Sequence, residues 1–364
     1  MKNTNTSTSR RKFLKGVIIN GAALSAIPAG VLGSNSISST LPRKNKIPGL
    51  PLRIMMKAGL SDSFRDKLLK ISPEIKLEEK DSAIELVNAW FGRISREEFA
   101  KASSLEWVQS PSAGVEGYLY PEFTGSEVML TNAKGCYGPA ISEHTFGLLF
   151  TLTRNLGNQH RNMSRGIWKR DTEGMVEMKG QTMGIVGLGG IGSQIARRAR
   201  SMDMNVLAVD IIPKYKEQIG DICDEVRLVQ DGGLEWLLTR SDVIVSAAPH
   251  TKDSEGMFGE AEFNRMRRGA YFINVSRGKL VRTPALVEAL KSGHLAGAGL
   301  DVTDPEPLPP GHALWGFPNV IITSHISGVS QYSSDRMQEV FVSNVRRFVK
   351  GLPMLNQVDK AMGF

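Results

Sequence analysis

Thr182-Met-Gly-Ile-Val-Gly-Leu-Gly-Gly-Ile-Gly192 is the stretch that decides the fold of this chain. The apolar run 182–188 predicts a short buried strand, and 191–202 predicts a helix with its apolar residues on one side. The glycines between them follow the order G-x-G-x-x-G, in which the chain turns tightly, approaches a pyrophosphate and packs helix against strand. We therefore predict a dinucleotide-phosphate site at Gly187, Gly189, Gly190, Ile191 and Gly192.

Asp210 ends a second apolar run, Asn-Val-Leu-Ala-Val-Asp, 18 residues after Gly192. An acid at about this distance accepts hydrogen bonds from a ribose hydroxyl of NAD. Its charge would repel the extra phosphate of NADP, so the sequence favours NAD. Lys214 and Lys216 leave NADP open, because either lysine could tolerate that phosphate.

Alternating strands and helices indicate an α/β protein with two parallel-sheet domains. From 182 to about 326, six apolar runs with helices between them predict a doubly wound sheet. A similar alternation over about 50–155 predicts a smaller parallel domain, whose last helix, 142–155, is strongly apolar and long enough to cross into the second domain. The final helix, about 331–350, is expected to pack back on the first domain. The predicted domains are 49–155 with 331–364, and 156–330.

The positive charge of the chain is confined to its first residues. The formal net charge is +8, a value that would suit a nucleic-acid partner. Residues 1–48 hold eight basic residues and no acid, and the remainder holds 37 basic and 37 acidic residues. Because the body of the protein is neutral, we predict no nucleic-acid interface.

Residues 9–15, Ser-Arg-Arg-Lys-Phe-Leu-Lys, resemble the motif of twin-arginine export leaders. A weakly apolar stretch follows from 16 to about 32, too short for a comfortable membrane span. We predict a signal peptide and linker over 1–48, recognition by the twin-arginine export machinery, and a periplasmic or otherwise exported location. If the leader is not used, the protein stays in the cytoplasm.

Cysteine and histidine usage indicates neither a disulfide framework nor a metal site. Cys136 and Cys223 are the two cysteines, and both are expected to be buried thiols. The six histidines do not cluster at metal-ligand spacing, so no metal is predicted. His144 is expected to be a packed helix residue, and the five tryptophans are expected in the core.

From about residue 50 onward, the chain resembles the D-isomer-specific 2-hydroxyacid dehydrogenase family in several separate blocks. They include VQSPSAGVEGY, LTNAKGCYGPAISEHTFGLLFTLTRNL, GQTMGIVGLGGIG, FINVSRGKLV, GLDVTDPEPL and FPNVIITSHISG. The resemblance implies a Rossmann domain that binds NAD or NADP, and a discontinuous flavodoxin-like substrate domain. It also implies a homodimer built around the helix 142–155.

The same resemblance implies the residues of the active site. Arg277 binds the carboxylate and carbonyl oxygens of a 2-oxoacid, a task that suits a planar, permanently charged fork. His325 donates a proton to the carbonyl oxygen during reduction and accepts it during oxidation, and Glu306 fixes its orientation. Backbone amides at Ala113 and Gly114 hold the substrate carboxylate. Asp301 contacts the nicotinamide carboxamide, and the other expected cofactor contacts are His250, Val275, Ser276, Arg277, His325 and Gly328.

Two positions depart from the family pattern. Ser324 stands where a proline commonly precedes the histidine, and Gly190 stands where a basic residue often contacts phosphate. The sequence predicts an NAD-dependent dehydrogenase that reduces a small 2-oxoacid, such as glyoxylate or hydroxypyruvate, to the D-2-hydroxyacid. Formate dehydrogenase is disfavoured, because hydride donation from formate needs no proton relay, whereas Glu306 would supply one here. The alternative is an exported nucleotide- or ligand-binding protein of the same fold without turnover, since little free NAD is expected outside the cytoplasm.

Overall fold

The part of the chain that the structure describes, residues 51–59, 61–213, 215 and 221–364, forms two parallel β-sheets with helices around them. The structure is a computed structural model. The predicted leader at 1–48 and the lysines at 214 and 216 lie outside these residues. No helix within them is long and apolar enough to cross a membrane. The predicted fold class, α/β with two doubly wound parallel sheets, is confirmed.

Five short strands form the first sheet: β1 (Leu52–Met56), β2 (Ile75–Glu78), β3 (Ala89–Phe91), β4 (Trp107–Gln109) and β5 (Met129–Thr131). They are parallel in the order β2-β1-β3-β4-β5, which is the flavodoxin-like order. The helices of this part are α1 (Asp62–Leu69), α2 (Arg96–Lys101) and α3 (Pro121–Thr124). Serines cap the first two helices, because the hydroxyls of Ser61 and Ser95, the residues just before them, accept hydrogen bonds from free amides of the first turn.

Seven strands form the second sheet, one more than the sequence predicts. They are β6 (Thr182–Val186), β7 (Asn205–Asp210), β8 (Glu225–Leu228), β9 (Val243–Ser246), β10 (Ala270–Asn274), β11 (Leu295–Leu300) and β12 (Val320–Ile322). All are parallel, in the order β12-β11-β10-β9-β6-β7-β8. The missed strand is β8, which lies at the edge, where Glu225 and Arg227 interrupt the apolar run typical of a buried strand. The strand order reverses between β6 and β9, the position at which doubly wound sheets bind nucleotides.

The helices associated with the second sheet are α4 (Gly138–Thr153), α5 (Leu156–Ser164), α6 (Gly190–Ser201), α7 (Gly233–Leu238), α8 (Glu260–Arg265) and α9 (Thr283–Lys291). Helix α4 buries Ile141, Phe146 and Leu149 in the core shared with β6 and β10. The predicted boundary at residue 155 groups this helix with the first domain, whereas its packing joins it to the second sheet. Most of its surface is apolar, so the sequence pattern does not indicate which sheet it covers.

The last helix, α10 (Ser333–Val349), returns to the first sheet. Its side chains Phe341 and Phe348 lie in one core cluster with Phe91 and Trp107. The rings of Phe341 and Phe91 are stacked, with centroids 4.3 Å apart. The core of the first sheet is therefore built from strands near the start of the described chain and a helix near its end.

Residues after α10 continue along the first sheet. The amide of Val358 donates to the carbonyl of Leu130 at 2.8 Å. The Lys360 ammonium donates to three backbone carbonyls in α3 and just beyond it, those of Phe123 (3.1 Å), Ser126 (2.6 Å) and Val128 (3.0 Å). These contacts fix the segment against strand β5 and the residues before it.

The two cysteines are buried free thiols, as predicted. Burial raises the pKa of Cys136 to about 11 and that of Cys223 to about 12, so neither thiol is a reactive nucleophile near neutral pH. The prediction for the tryptophans is wrong in two cases, because Trp168 is fully exposed and Trp315 is 54% exposed. The buried tryptophans are Trp90, Trp107 and Trp236.

Candidate active site

Several predicted site residues lie where strands of the second sheet end. Asp210 is the last residue of β7, Val275 and Ser276 follow β10, Asp301 follows β11, and His325 follows β12. Because parallel strands end at the same edge of a sheet, these side chains share the edge at which doubly wound folds bind ligands.

The glycine turn between β6 and α6 is shaped for close backbone packing. Gly187 has φ +93°, which is a left-handed conformation. A Cβ on Gly192 would lie 2.0 Å from the carbonyl oxygen of Gly187, so only glycine allows this helix to start so near the strand. A Cβ on Gly189 would meet nothing within 4 Å, which leaves open space above the turn. The turn therefore fits a pyrophosphate, which would face the free amides at the start of α6.

Asp210 joins the end of β7 to this turn. One carboxylate oxygen accepts from the Leu188 amide at 2.7 Å, and the other accepts from the Ile212 amide at 2.9 Å. Each carboxylate oxygen can accept more than one hydrogen bond, so capacity for a ribose hydroxyl remains. The acid thus stabilises the turn in addition to the cofactor contact predicted for it.

Gly190, where the family often has a basic residue, lies against the chain that precedes α4. A Cβ on Gly190 would come within 3.1 Å of the Cα of Gly135. A Cβ on Gly138 would lie 2.6 Å from the carbonyl oxygen of Gly190. This close approach of two backbones gives a physical reason for the absence of a long side chain at position 190. Ile191, the other predicted residue of the turn, is partly buried against the core of the second sheet.

His325 and Glu306 form a hydrogen-bonded pair. His325 Nδ1 lies 2.7 Å from Glu306 Oε1, and the two side chains are 48% and 42% exposed. His325 Nε2 has no hydrogen-bond partner within the described residues. An imidazole held through Nδ1 with Nε2 free is suited to exchange a proton with a bound molecule.

The turn that carries His325 is built around buried Asp301. His325 has φ 55°, a left-handed conformation that is uncommon for a residue other than glycine. Its amide donates to the Asp301 carbonyl at 2.8 Å. The carboxylate of Asp301 accepts from the Thr323 hydroxyl (2.6 Å) and from the amides of Ile326 (3.0 Å) and Ser327 (3.1 Å). Asp301 therefore holds the histidine turn from both ends, a role that the sequence did not indicate.

Hydrogen bonds keep Asp301 ionised despite its burial. Burial by itself would raise the pKa of this carboxyl, but hydrogen bonds from Ser327, Thr323 and the Ile326 amide outweigh that effect and lower the pKa. His144 Nε2 lies 2.8 Å from the Thr323 hydroxyl, so this histidine is a packed helix residue, as predicted. The same contacts hold the turn in place although Ser324 replaces the usual proline.

Arg277 lies after β10, and its guanidinium meets the loop that carries Gly114. Its Nε donates to Glu116 Oε1 at 2.9 Å, and Nη1 donates to the Ser276 carbonyl at 2.6 Å. A Cβ on Gly114 would lie 1.6 Å from Nη2, so the guanidinium packs directly on the glycine backbone. The neighbouring carbonyl of Ala113 accepts from the Asn132 side chain at 2.7 Å. Arg277 and Gly114 are thus brought together, and Glu116 is a site residue that the sequence reasoning missed.

Two predicted cofactor residues, His250 and Gly328, have neighbours other than the His325–Glu306 pair and Arg277. His250 Nε2 lies 3.2 Å from Glu255 Oε2, and no contact among the described residues joins this histidine to the others. A Cβ on Gly328 would lie 3.3 Å from the ring of Tyr137.

The ranges that the structure describes contain no group of three or more histidine, cysteine, aspartate or glutamate side chains able to hold a metal ion.

Comparison with known proteins identifies relatives over most of the chain. A glyoxylate reductase from Thermofilum pendens is 33% identical over 291 residues, which are 79% of this chain and 82% of that protein. A D-3-phosphoglycerate dehydrogenase from Archaeoglobus fulgidus is 30% identical over 310 residues, which are 85% of this chain and 55% of that protein.

A solved structure and a family model match as well. The crystal structure of a D-isomer specific 2-hydroxyacid dehydrogenase family protein from Aeromonas salmonicida is 31% identical, with a TM-score of 0.72, and the match covers 86% of this chain and 100% of that one. Residues 146–327 match the model of the D-isomer specific 2-hydroxyacid dehydrogenase NAD-binding domain. With the glycine turn, the His325–Glu306 pair and Arg277 at one sheet edge, the chain belongs to the D-isomer specific 2-hydroxyacid dehydrogenase family and contains its NAD-binding domain.

Proposed function

We propose that the protein is an NAD-dependent oxidoreductase that interconverts a small 2-oxoacid and its D-2-hydroxyacid. The observation that carries this proposal is the 2.7 Å contact between His325 Nδ1 and Glu306 Oε1, an arrangement suited to proton transfer, in a member of this family. Glyoxylate and hydroxypyruvate are the proposed substrates. The similarity to a glyoxylate reductase supports this choice.

Each residue of the proposed site has one chemical task. Arg277 holds the substrate carboxylate and polarises the carbonyl with its guanidinium. His325 donates a proton from Nε2 to the carbonyl oxygen as negative charge develops there, while Nδ1 stays on Glu306. Glu306 thereby fixes the orientation of the imidazole. NADH, when bound, supplies the hydride that the carbonyl carbon accepts.

NAD is the proposed cofactor in preference to NADP. The open space above Gly189 has room for a pyrophosphate, and the carboxylate of Asp210 at the end of β7 would repel a phosphate on the adjacent ribose. The two lysines that could offset this repulsion lie outside the described residues.

Turnover by the full-length protein tests the proposal. NADH or NADPH absorbance would be followed with glyoxylate, hydroxypyruvate, pyruvate and longer 2-oxoacids. We expect oxidation of NADH with at least one of the small acids, and slower oxidation of NADPH. Binding of NADH without turnover of any acid would favour the alternative, an exported nucleotide- or ligand-binding protein of this fold.

A variant of His325 tests whether this residue is the proposed acid or has only a structural role. We expect His325→Ala to lower kcat by about 10²–10⁴-fold, because proton transfer by a positioned side chain contributes an effect of that size. NADH should still bind to this variant. His160→Ala is the matched control, because His160 is an exposed histidine of α5. Unchanged turnover in His325→Ala would rule out the proposed role.

We also propose export by the twin-arginine route, from the motif at 9–15. The matched test replaces Arg10 and Arg11 with lysine, which keeps the charge but removes the guanidinium pair. The variant should accumulate in the cytoplasm, whereas the natural chain should be found in the exported fraction. Equal distribution of the two proteins would mean that the leader is not used.

A homodimer is the proposed assembly. Four large apolar side chains of α5 and the loop after it are about half exposed or more, and they are named here the α5 surface: Leu156, Met163, Ile167 and Trp168. Apolar side chains of this size, exposed within one short segment of the chain, favour a protein partner. The partner proposed is a second copy of the chain, because the family resemblance implies a dimer built around the preceding helix α4.

A further inference from the structure

An ion pair connects the loop after β4 to the proposed substrate-binding arginine. Glu116 belongs to a short 3₁₀ turn, Glu116–Tyr118, in the part of the chain that carries the first sheet. Arg277 belongs to the second sheet, 161 residues further along the chain. The Nε–Oε1 distance is 2.9 Å, and the two side chains are only about one-third exposed. A charge-assisted hydrogen bond of this length restricts the orientation of both groups.

We propose that Glu116 is a positioning residue, which holds Arg277 in the orientation that receives the substrate carboxylate. The inference rests on the proposed function, because that function assigns the carboxylate to Arg277. A guanidinium has five N–H donors. Nε–H is engaged by Glu116 and one Nη1–H by the Ser276 carbonyl. The edge formed by Nη1 and Nη2 therefore keeps donors for a planar carboxylate.

The position of Nη2 supports the same role. Nη2 lies against Gly114, where a Cβ would be only 1.6 Å away, and the second oxygen of Glu116 lies 2.7 Å from that same point. The backbone amides expected to hold the substrate carboxylate belong to this segment. Residues 113–116 thus combine the backbone groups that would bind the substrate with the acid that orients the arginine.

The charge of Glu116 would oppose a bound carboxylate, so its benefit must come from orientation. Two variants of Glu116 separate charge from orientation. Glu116→Gln keeps an oxygen that accepts from Nε–H, but it removes the charge. Glu116→Ala removes the acceptor and lets the guanidinium rotate. If Glu116 acts by positioning, glutamine should preserve function and alanine should not.

The test measures kcat and KM for glyoxylate with saturating NADH in the full-length protein. We expect Glu116→Ala to lower kcat/KM by about tenfold to a hundredfold, since small misplacements of a binding group have effects of this size. Glu116→Gln should remain within about threefold of the natural protein. The matched control is Glu122→Ala, because Glu122 is 60% exposed and pairs only loosely with Arg96, at 3.7 Å.

Two outcomes would overturn the proposal. The first is a Glu116→Ala variant with the kcat/KM of the natural protein. The second is a Glu116→Gln variant as impaired as Glu116→Ala, which would assign the effect to charge. NADH affinity and melting temperature, measured for each variant, should match those of the natural protein and so separate positioning from a folding defect.

Binding of oxamate to the NADH complex tests the positioning role of Glu116 separately from turnover. Oxamate is a planar 2-oxoacid analogue that accepts no hydride, so it reports on Arg277 without turnover. Failure of the natural protein to reduce any 2-oxoacid would remove the proposed function alone. Weaker oxamate binding in Glu116→Ala, restored in Glu116→Gln, would still support the positioning role, and equal binding in all variants would refute it.

Discussion

Single residues of the site depend on partners far from them in the sequence. His325 has a left-handed backbone, which costs a residue other than glycine about 1 kcal/mol or more. The hydrogen bonds that Asp301 accepts from Thr323, Ile326 and Ser327 offset this cost. The backbone conformation of His325 therefore depends on the buried carboxylate of Asp301, which follows a different strand, β11.

Replacing Asp301 with asparagine tests this dependence. Asparagine has a similar size but only one acceptor oxygen, so at least one hydrogen bond to the turn is lost. We expect the free energy of unfolding to fall by roughly 2–4 kcal/mol and kcat to fall with it. Urea unfolding and steady-state kinetics give the two values, and Asp253→Asn, at an exposed aspartate, is the control.

The same variant should show a defined pH dependence. The pKa of Asp301 is lowered in the folded protein, so its contribution to stability is present above the unfolded pKa of about 4. That contribution is lost as the pH falls through the folded value. The stability difference between the natural protein and Asp301→Asn should therefore shrink below pH of about 4. A difference that stays constant into more acidic solution would contradict the role given to the charge.

The site residues that sequence reasoning found are those that local motifs mark. Arg277, Glu306 and His325 each stand in a block that resembles the family, so their positions could be predicted before their contacts were known. Glu116 stands in such a block too, but its importance comes from a partner 161 residues away. Only the packing of the two halves of the chain brings that pair together.

At the scale of the elements, the turn between β6 and α6 contains two glycines, Gly192 and Gly189, that the motif requires for different reasons. Gly192 is needed by the protein, because a Cβ would collide with the Gly187 carbonyl at 2.0 Å. Gly189 is not needed for packing, because a Cβ there would enter open space, and we propose that the ligand requires it. The sequence motif alone does not distinguish these two reasons.

Alanine variants of the turn should therefore behave differently. Gly192→Ala is expected to lower the free energy of unfolding by about 2 kcal/mol or more, because backbone atoms must move. Gly189→Ala should melt at the natural temperature but bind NADH at least about tenfold more weakly, because its methyl group occupies the approach to the pyrophosphate. Thermal melting and fluorescence titration with NADH measure the two effects. Equal losses of stability in both variants would contradict this division.

Strands were predictable where both faces are buried. Strands such as β6, β9 and β10 are mostly apolar and almost fully buried, as expected in a parallel sheet covered on two sides. Strand β8 has Glu225 and Arg227 at the sheet edge, where solvent tolerates charge. Its membership of the sheet follows from pairing with β7, which periodicity cannot show.

At the scale of the whole molecule, the α5 surface predicts the oligomeric state. Trp168 is fully exposed in the described chain, so a charged residue there should not disturb the fold of one copy. We expect the natural protein to be a dimer and Trp168→Glu to shift it toward monomer. Sedimentation or light scattering measures this, and Leu86→Glu, at an apolar residue 55% exposed in the other half of the chain, is the control. A natural protein that is monomeric at all concentrations would exclude this contact.

Large-scale organisation was only partly readable from the sequence. Two α/β parts and a returning helix follow from the rhythm of apolar runs. The attachment of α4 to the second sheet does not, because an apolar helix can cover either sheet. The exposure of Trp168 was also missed, since a tryptophan usually indicates a core. Burial of such residues depends on what else packs around them.

The first sheet starts to emerge from the ribosome early and is completed last. Strands β1 to β5 are synthesised before any strand of the second sheet, but α10, which covers them with Phe341 and Phe348, follows β12. Every strand of the second sheet therefore precedes α10 in the chain, whereas the apolar face of the first sheet stays uncovered until α10 is made. A transporter that accepts only folded proteins could begin to move this protein only after α10 has been synthesised.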